Sequence, residues 1–145
     1  MSLGIPYEFR PTDKLICAGS LTAEALSQAA REDVVQVINL CPAAEMTWDE
    51  QAAAEQMGMT YHNIPVAGPS DLSEDNVNRL LELLDEAPGV TLLHCASSNR
   101  VGAMMALAAQ AKGASMDEAL AIGRQSGLTK LEPVAAALLE QRKQN

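Results

Sequence analysis

One stretch of the chain limits its possible folds more than any other. Val90-Thr91-Leu92-Leu93-His94 is an apolar run of strand length, and it leads through a short polar loop straight into a helical pattern, Val101 to Lys112, that stops at Gly113. A run with no polar alternation is the mark of a strand covered on both faces. A strand that turns into a helix this quickly is half of a βα unit, and the same alternation recurs along the chain. Leu15–Ala18, Val34–Leu40 and Met59–Pro65 read as further strands. Helices are predicted over Ala23–Arg31 behind a Thr22 cap, Thr47–Met57 ending at Gly58, and Glu74–Glu86 behind a Ser73 cap. Ser115-x-x-Glu118 and Thr129-x-x-Glu132 have capping-box form and each opens a further helix. The expectation is an α/β fold in three layers, a central, mostly parallel sheet of four to five strands flanked by helices. With no linker, repeat or low-complexity stretch, residues 1–145 read as a single domain.

Composition narrows both the core and the partners. Aromatic residues make up 3% of the chain, so the core must be built from Ala, Leu, Val, Ile and Met. The formal charge of −9 repels nucleic acid and anionic membrane, and the ten basic residues are scattered rather than clustered. Neither partner is expected. Any anion must therefore be held by local geometry rather than by long-range attraction. No apolar run approaches the roughly 18 residues of a membrane span, and Met1–Thr12 lacks the apolar segment of a secretory signal, so a cytoplasmic location is expected. Three widely spaced cysteines without a CxxC give neither a disulfide framework nor a zinc site, and no metal or cofactor is expected.

The chemistry concentrates where the strand meets the helix. Cys95 ends the strand, Ala96, Ser97, Ser98 and Asn99 form the loop, and Arg100 is its only charged residue. Ligands of open α/β sheets bind beyond the C-terminal ends of the strands. A loop wrapped over a helix start aims backbone N–H groups and the positive end of the helix dipole at one point. Such a setting favours a thiolate, and the planar fork of an arginine suits an oxyanion. The plain alternative is that Cys95 is a small core residue. The bracketing of a polar loop by Cys and Arg argues for function, with a small anionic or phosphorylated substrate.

His94-Cys95-Ala96-Ser97-Ser98-Asn99-Arg100 resembles the His-Cys-x(n)-Arg signature of cysteine-dependent phosphatases of the tyrosine/dual-specificity superfamily. It is more similar still to the phosphatase domain family associated with beta-lactamase-hydrolase-like proteins, whose loop reads HCxSGNR. Gly19-Ser20, Val37–Leu40 with Glu45, and Gly58 through Tyr61 to Ile64-Pro65 extend the similarity over most of the chain. The resemblance implies a protein-tyrosine-phosphatase-like fold, with Cys95 as nucleophile, Arg100 on the phosphoryl oxygens, Ala96, Ser97, Ser98, Asn99 and Val101 around the substrate, and an acidic residue on an earlier loop as general acid. Asp71, in Gly68-Pro69-Ser70-Asp71-Leu72, is the candidate for that acid; its alternative is a turn residue ahead of the Ser73 cap.

Three departures stand out. Four residues separate Cys95 from Arg100 where a standard phosphatase has five. Ser98 stands where the family has Gly, at a position that calls for a positive φ. Val101 replaces the Ser or Thr hydroxyl that eases loss of the thiolate, with Ser97 and Ser98 as alternative sources. The shorter loop also resembles that of rhodanese-type sulfurtransferases, which leaves sulfur transfer as a second reading and an inactive anion-binding module as a third. The remaining candidates read as structural. His94 stiffens the loop through its backbone, His62 lies within a strand, Cys17 and Cys41 pack at strand ends, Met104-Met105 belong to the core, and Arg124 lies on a solvated helix face.

Overall fold

The computed structural model describes residues 2–143. Five strands, β1 (Phe9–Thr12), β2 (Leu15–Ala18), β3 (Val34–Asn39), β4 (Thr60–Asn63) and β5 (Val90–His94), lie in the order β1-β2-β5-β3-β4. All neighbours are parallel except β1, which runs antiparallel to β2. Strand β5 is central, with Leu93 level with Cys17 on one side and Ile38 on the other. The C-terminal ends of β2, β3, β4 and β5 therefore share one edge of the sheet, and the loop leaving β5 lies at the middle of that edge.

Alternate side chains of each strand enter two separate cores. Ile16, Ala18, Val37 and Leu92 pack with Leu26 and Ala29 of α1 (Ala23–Arg31) and Ala54 of α2 (Glu50–Gln56). Cys17, Ile38, Leu93 and Cys95 pack on the opposite face. They meet Leu80 of α3 (Glu74–Glu86), Met104 and Leu107 of α4 (Asn99–Ala111), Ala119 of α5 (Met116–Gln125) and Leu139 of α6 (Glu132–Arg142). This is the three-layer arrangement predicted above, built from aliphatic residues. No described helix is long and apolar enough to cross a membrane.

The predicted elements match, with several informative shifts. Thr22, Ser73 and Ser115 cap their helices as expected, and Gly58 and Gly113 take positive φ at helix ends. The second helix starts later than Thr47 because the Asp49 carboxylate accepts from the Ala52 N–H at 3.0 Å and fixes the first turn at Glu50. Strand β1 is additional. It contains Pro11, which a strand tolerates at the sheet edge, where its missing N–H breaks no ladder. The Thr129 capping box does not form. Glu132 is drawn instead into a two-point contact with Arg124, and α6 starts behind Leu131 without a side-chain cap.

Helix α4 can lie close to the α5–α6 connection only because residue 102 has no side chain. A Cβ at Gly102 would stand 2.2 Å from the Leu128 backbone nitrogen. We predict that Gly102→Ala destabilises the fold by about 2 kcal/mol or more despite its better helix propensity. Gly68→Ala, where a Cβ meets open space, should stay within about 0.5 kcal/mol of the parent. Thermal or urea unfolding of the two variants checks this.

Candidate active site

Cys95 has no exposed surface. Its N–H donates to the Ala18 carbonyl at 3.2 Å, so the end of β5 is still zipped to β2 where the nucleophile candidate begins. One residue on, the Ala96 carbonyl accepts from Ser20 N–H at 3.1 Å and passes close to Gly19, where a Cβ would lie 2.6 Å from that oxygen. Gly19 is thus required by the close approach of two backbones.

Ser98 has φ +63°, the left-handed conformation expected for a position the related loops give to glycine. Strain of this kind costs about 1 kcal/mol and persists only where the surroundings impose it. Here they do. Ser98 is fully buried, its Oγ donates to the Ser126 carbonyl at 2.7 Å, and the α carbon of Gly127 packs against it. The neighbouring Asn99 Oδ1 accepts from the N–H groups of Thr129 and Leu131 at 2.9 and 3.2 Å. The α5–α6 connection therefore braces the loop from behind.

The outcome is a loop of unpaired donors. The chain around Ser97 is bridged to Gly19, and among the described residues the backbone N–H groups of Ala96, Asn99 and Arg100 have no hydrogen-bond partner. The last of these open α4, so the helix dipole adds positive potential at the same place.

The Arg100 guanidinium is held firmly. Nη1 and Nη2 donate to the two oxygens of Glu45 at 2.9 and 2.8 Å, and Nη1 also donates to the Val66 carbonyl at 2.9 Å. An arginine has five N–H groups in a rigid plane. The end fork is occupied by Glu45, whereas Nε–H and the second Nη2–H, which form the side fork, have no partner among the described residues. The bond from Glu45 holds the guanidinium above its usual range against the opposing effect of burial, and the nearby Cys95 sulfur adds to it. The same bond holds the Glu45 carboxyl below the usual carboxylate range. Glu45 falls within the family resemblance, but its clamping role carries no local sequence signal.

A sequence profile of the phosphatase-like domain of beta-lactamase hydrolase-like proteins matches residues 9–122. The chain belongs to this family. It is 29% identical over 121 residues to the beta-lactamase hydrolase-like protein of Xylella fastidiosa, a match spanning 79% of the chain and 28% of that protein. The chain thus spans under a third of the length of that relative. Among solved structures, a candidate phosphatase of Neisseria meningitidis superposes with a TM-score of 0.77 at 22% identity, covering 92% of this chain and 97% of the other. TpbA of P. aeruginosa, solved in complex with pTyr, superposes with a TM-score of 0.73 at 20% identity, covering 94% and 84%. At these identities the structural likeness defines the fold, which is that of the tyrosine-phosphatase-like proteins. None of the comparisons supports sulfur transfer.

Asp71 lies in a tight turn over Pro69–Asp71, where Oδ2 accepts from Ala67 N–H at 2.8 Å. It therefore belongs to the same segment as Val66, which holds Arg100. Val101 is fully buried and its side chain packs in the core behind the loop. The Ser98 hydroxyl donates to the Ser126 carbonyl, whereas the Ser97 hydroxyl has no hydrogen bond among the described residues. His94 is buried and bonded through Nδ1 to the Cys95 carbonyl at 3.2 Å, as the sequence suggests, and through Nε2 to Glu50, a residue the sequence reading passed over. His62 lies in β4, and Arg124 is exposed and paired with Glu132.

Cys17 and Cys41 are buried free thiols. Burial pushes both up to about 12. A raised thiol pKa leaves the neutral form dominant at every pH below that value, and the neutral form is a poor nucleophile. We predict that iodoacetamide at pH 7.5 leaves both residues unmodified in the folded protein and alkylates both in urea, as read by peptide mass mapping.

Proposed function

We propose that this domain is a cysteine-dependent phosphatase that hydrolyses a phosphomonoester through a cysteinyl-phosphate intermediate. The observation that carries the reading is the loop that follows Cys95, where the backbone N–H groups of Ala96, Asn99 and Arg100 and the side fork of Arg100 are without partners among the described residues. Three oxygens of a tetrahedral phosphoryl group match such a set of donors. Glu45 supports the role of Arg100 by fixing the guanidinium plane, so that little ordering remains to be done when an anion arrives.

In the proposed first step the Cys95 thiolate attacks phosphorus in line with the leaving oxygen. The S–P bond forms as the P–O bond to the leaving group breaks, and Asp71 gives its proton to the departing oxygen. In the second step a water that has lost its proton to Asp71 attacks phosphorus, and Cys95 leaves as thiolate. The nucleophile's burial is consistent with a reaction at the floor of the loop, reached by the phosphoryl group alone. Family membership and the pTyr complex of TpbA support a phosphorylated substrate. The acidic surface argues against a polyanionic one. A single domain over residues 1–145 and a cytoplasmic location complete the proposal.

Turnover of p-nitrophenyl phosphate tests it. Cys95→Ser should fall to background, and turnover that survives this change overturns the mechanism. Arg100→Lys keeps the charge but loses the fork, and should cost about 10²-fold in kcat/KM. Asp71→Asn should flatten the alkaline limb of the pH–rate profile. Its rate loss should be about 10²-fold or more on an alkyl phosphate and smaller on the nitrophenyl ester, whose leaving group needs little protonation.

A further inference from the structure

A buried pair next to Cys95, Glu50 and His94, has no part in the mechanism above. Glu50, in the first turn of α2, is turned inward at 2% exposure and meets His94 at the end of β5, at 1%. Its Oε2 accepts from the Tyr61 hydroxyl at 3.0 Å and bonds to His94 Nε2 at 2.5 Å. The Tyr61 oxygen in turn accepts from Asn39 Nδ2 at 2.9 Å. Burial pushes the Tyr61 phenol well above its ordinary value, so it remains a neutral donor. The far ring nitrogen, His94 Nδ1, faces the Cys95 carbonyl at 3.2 Å.

Hydrogen-bond logic fixes most of the protons. A carbonyl oxygen only accepts, so Nδ1 carries a proton. A contact this short between Nε2 and Oε2 is bridged by a proton. When that proton lies on Nε2, the imidazolium end of the pair is the end beside residue 95 and the carboxylate end is remote. Such an orientation favours negative charge at the sulfur. A pair built for stability alone would satisfy every oxygen. Glu50 Oε1, however, has no partner among the described residues, and Glu50 lines a cavity of about 110 Å³ shared with Cys41, Glu45 and Trp48. A buried ion pair with an orphaned oxygen is a poor source of stability.

We infer that Glu50 is a positioning residue for the proposed nucleophile, acting through His94: the carboxylate draws the proton onto Nε2, and the resulting imidazolium anchors the Cys95 carbonyl and favours the thiolate. The inference rests on the phosphatase reading for its meaning, but its test does not. The other ionisable groups around the pair are Tyr61 from β4, and Cys41 and Glu45 from the segment after β3, with Arg100 of α4 beyond Glu45. Cys41 remains a neutral thiol, pushed up to about 12, and Glu45 is neutralised by Arg100, so neither competes for the proton.

The decisive experiment follows Cys95 alkylation by iodoacetate against pH, alongside the pH–rate profile on p-nitrophenyl phosphate. Glu50→Gln should move the acid limb of both curves upward by about one pH unit, roughly tenfold in rate at a pH below the limb. In a His94→Asn background, which keeps an N–H donor but cuts the link to Glu50, adding Glu50→Gln should move neither curve further. If Glu50→Gln lowers the melting temperature but leaves both limbs in place, Glu50 is structural and the inference fails. If Glu50→Gln does not fold, Tyr61→Phe carries the test. It removes one bond to the charged carboxylate and should shift the limbs in the same direction by a smaller amount; no shift overturns the inference. A parent protein without turnover but with the predicted alkylation shift would sink the phosphatase reading and leave the role of Glu50 standing.

Discussion

The structure depends on one abrupt change of backbone state, from strand to helix between His94 and Asn99. A strand pairs its N–H groups with neighbouring strands, and a helix pairs its own only after the first turn. A chain that changes from one to the other this quickly leaves the groups between them unsatisfied, which folded proteins generally avoid. Here the deficit is concentrated beside Cys95 and Arg100, and each supporting contact maintains it. Gly19 admits the Ala96 carbonyl, Ser98 takes the left-handed turn, and Asn99 is held from behind by the α5–α6 connection.

Two carboxylates with opposite duties flank this loop. Glu45 lies at the surface and orders a guanidinium, at modest cost in desolvation because its side chain is 38% exposed. Glu50 lies inside, bonded to the His94 imidazole at about the same depth, where taking a charge out of water is costly. Both approach from the segment between β3 and β4, which connects the sheet edge to α2. The family's loop motif names neither residue, yet both bear on the two atoms that the motif does name, the Cys95 sulfur and the Arg100 guanidinium.

What the sequence discloses and what it hides divide along the range of the interactions. The Thr22, Ser73 and Ser115 caps lie within three residues of the N–H groups they satisfy, so composition reveals them. Strands β2, β3 and β5 are largely apolar runs because both faces are covered, and they too are legible. The left-handed Ser98 was foreseeable from the glycine that related loops carry. The duty of Glu50 was not. A glutamate directly after an Asp49 cap looks like a complement to the helix dipole, and only Tyr61 and His94, 11 and 44 residues away, turn it inward. The Thr129 box failed for the same reason, since Arg124 and Asn99, not the local backbone, decide where Glu132 and the Thr129 N–H are bonded. Strand β1 was hidden by Pro11, a residue that makes sense only once the sheet edge is known.

The bracing of Ser98 and Asn99 by residues 126–131 makes a remote connection part of the template that shapes the loop after Cys95. That connection contains Gly127, whose φ of +112° favours glycine. Drift in such a stretch would register as altered chemistry at a sulfur it never touches. In families of this architecture, inherited or engineered changes of activity can therefore originate in a hinge between two C-terminal helices that looks, by composition, like filler.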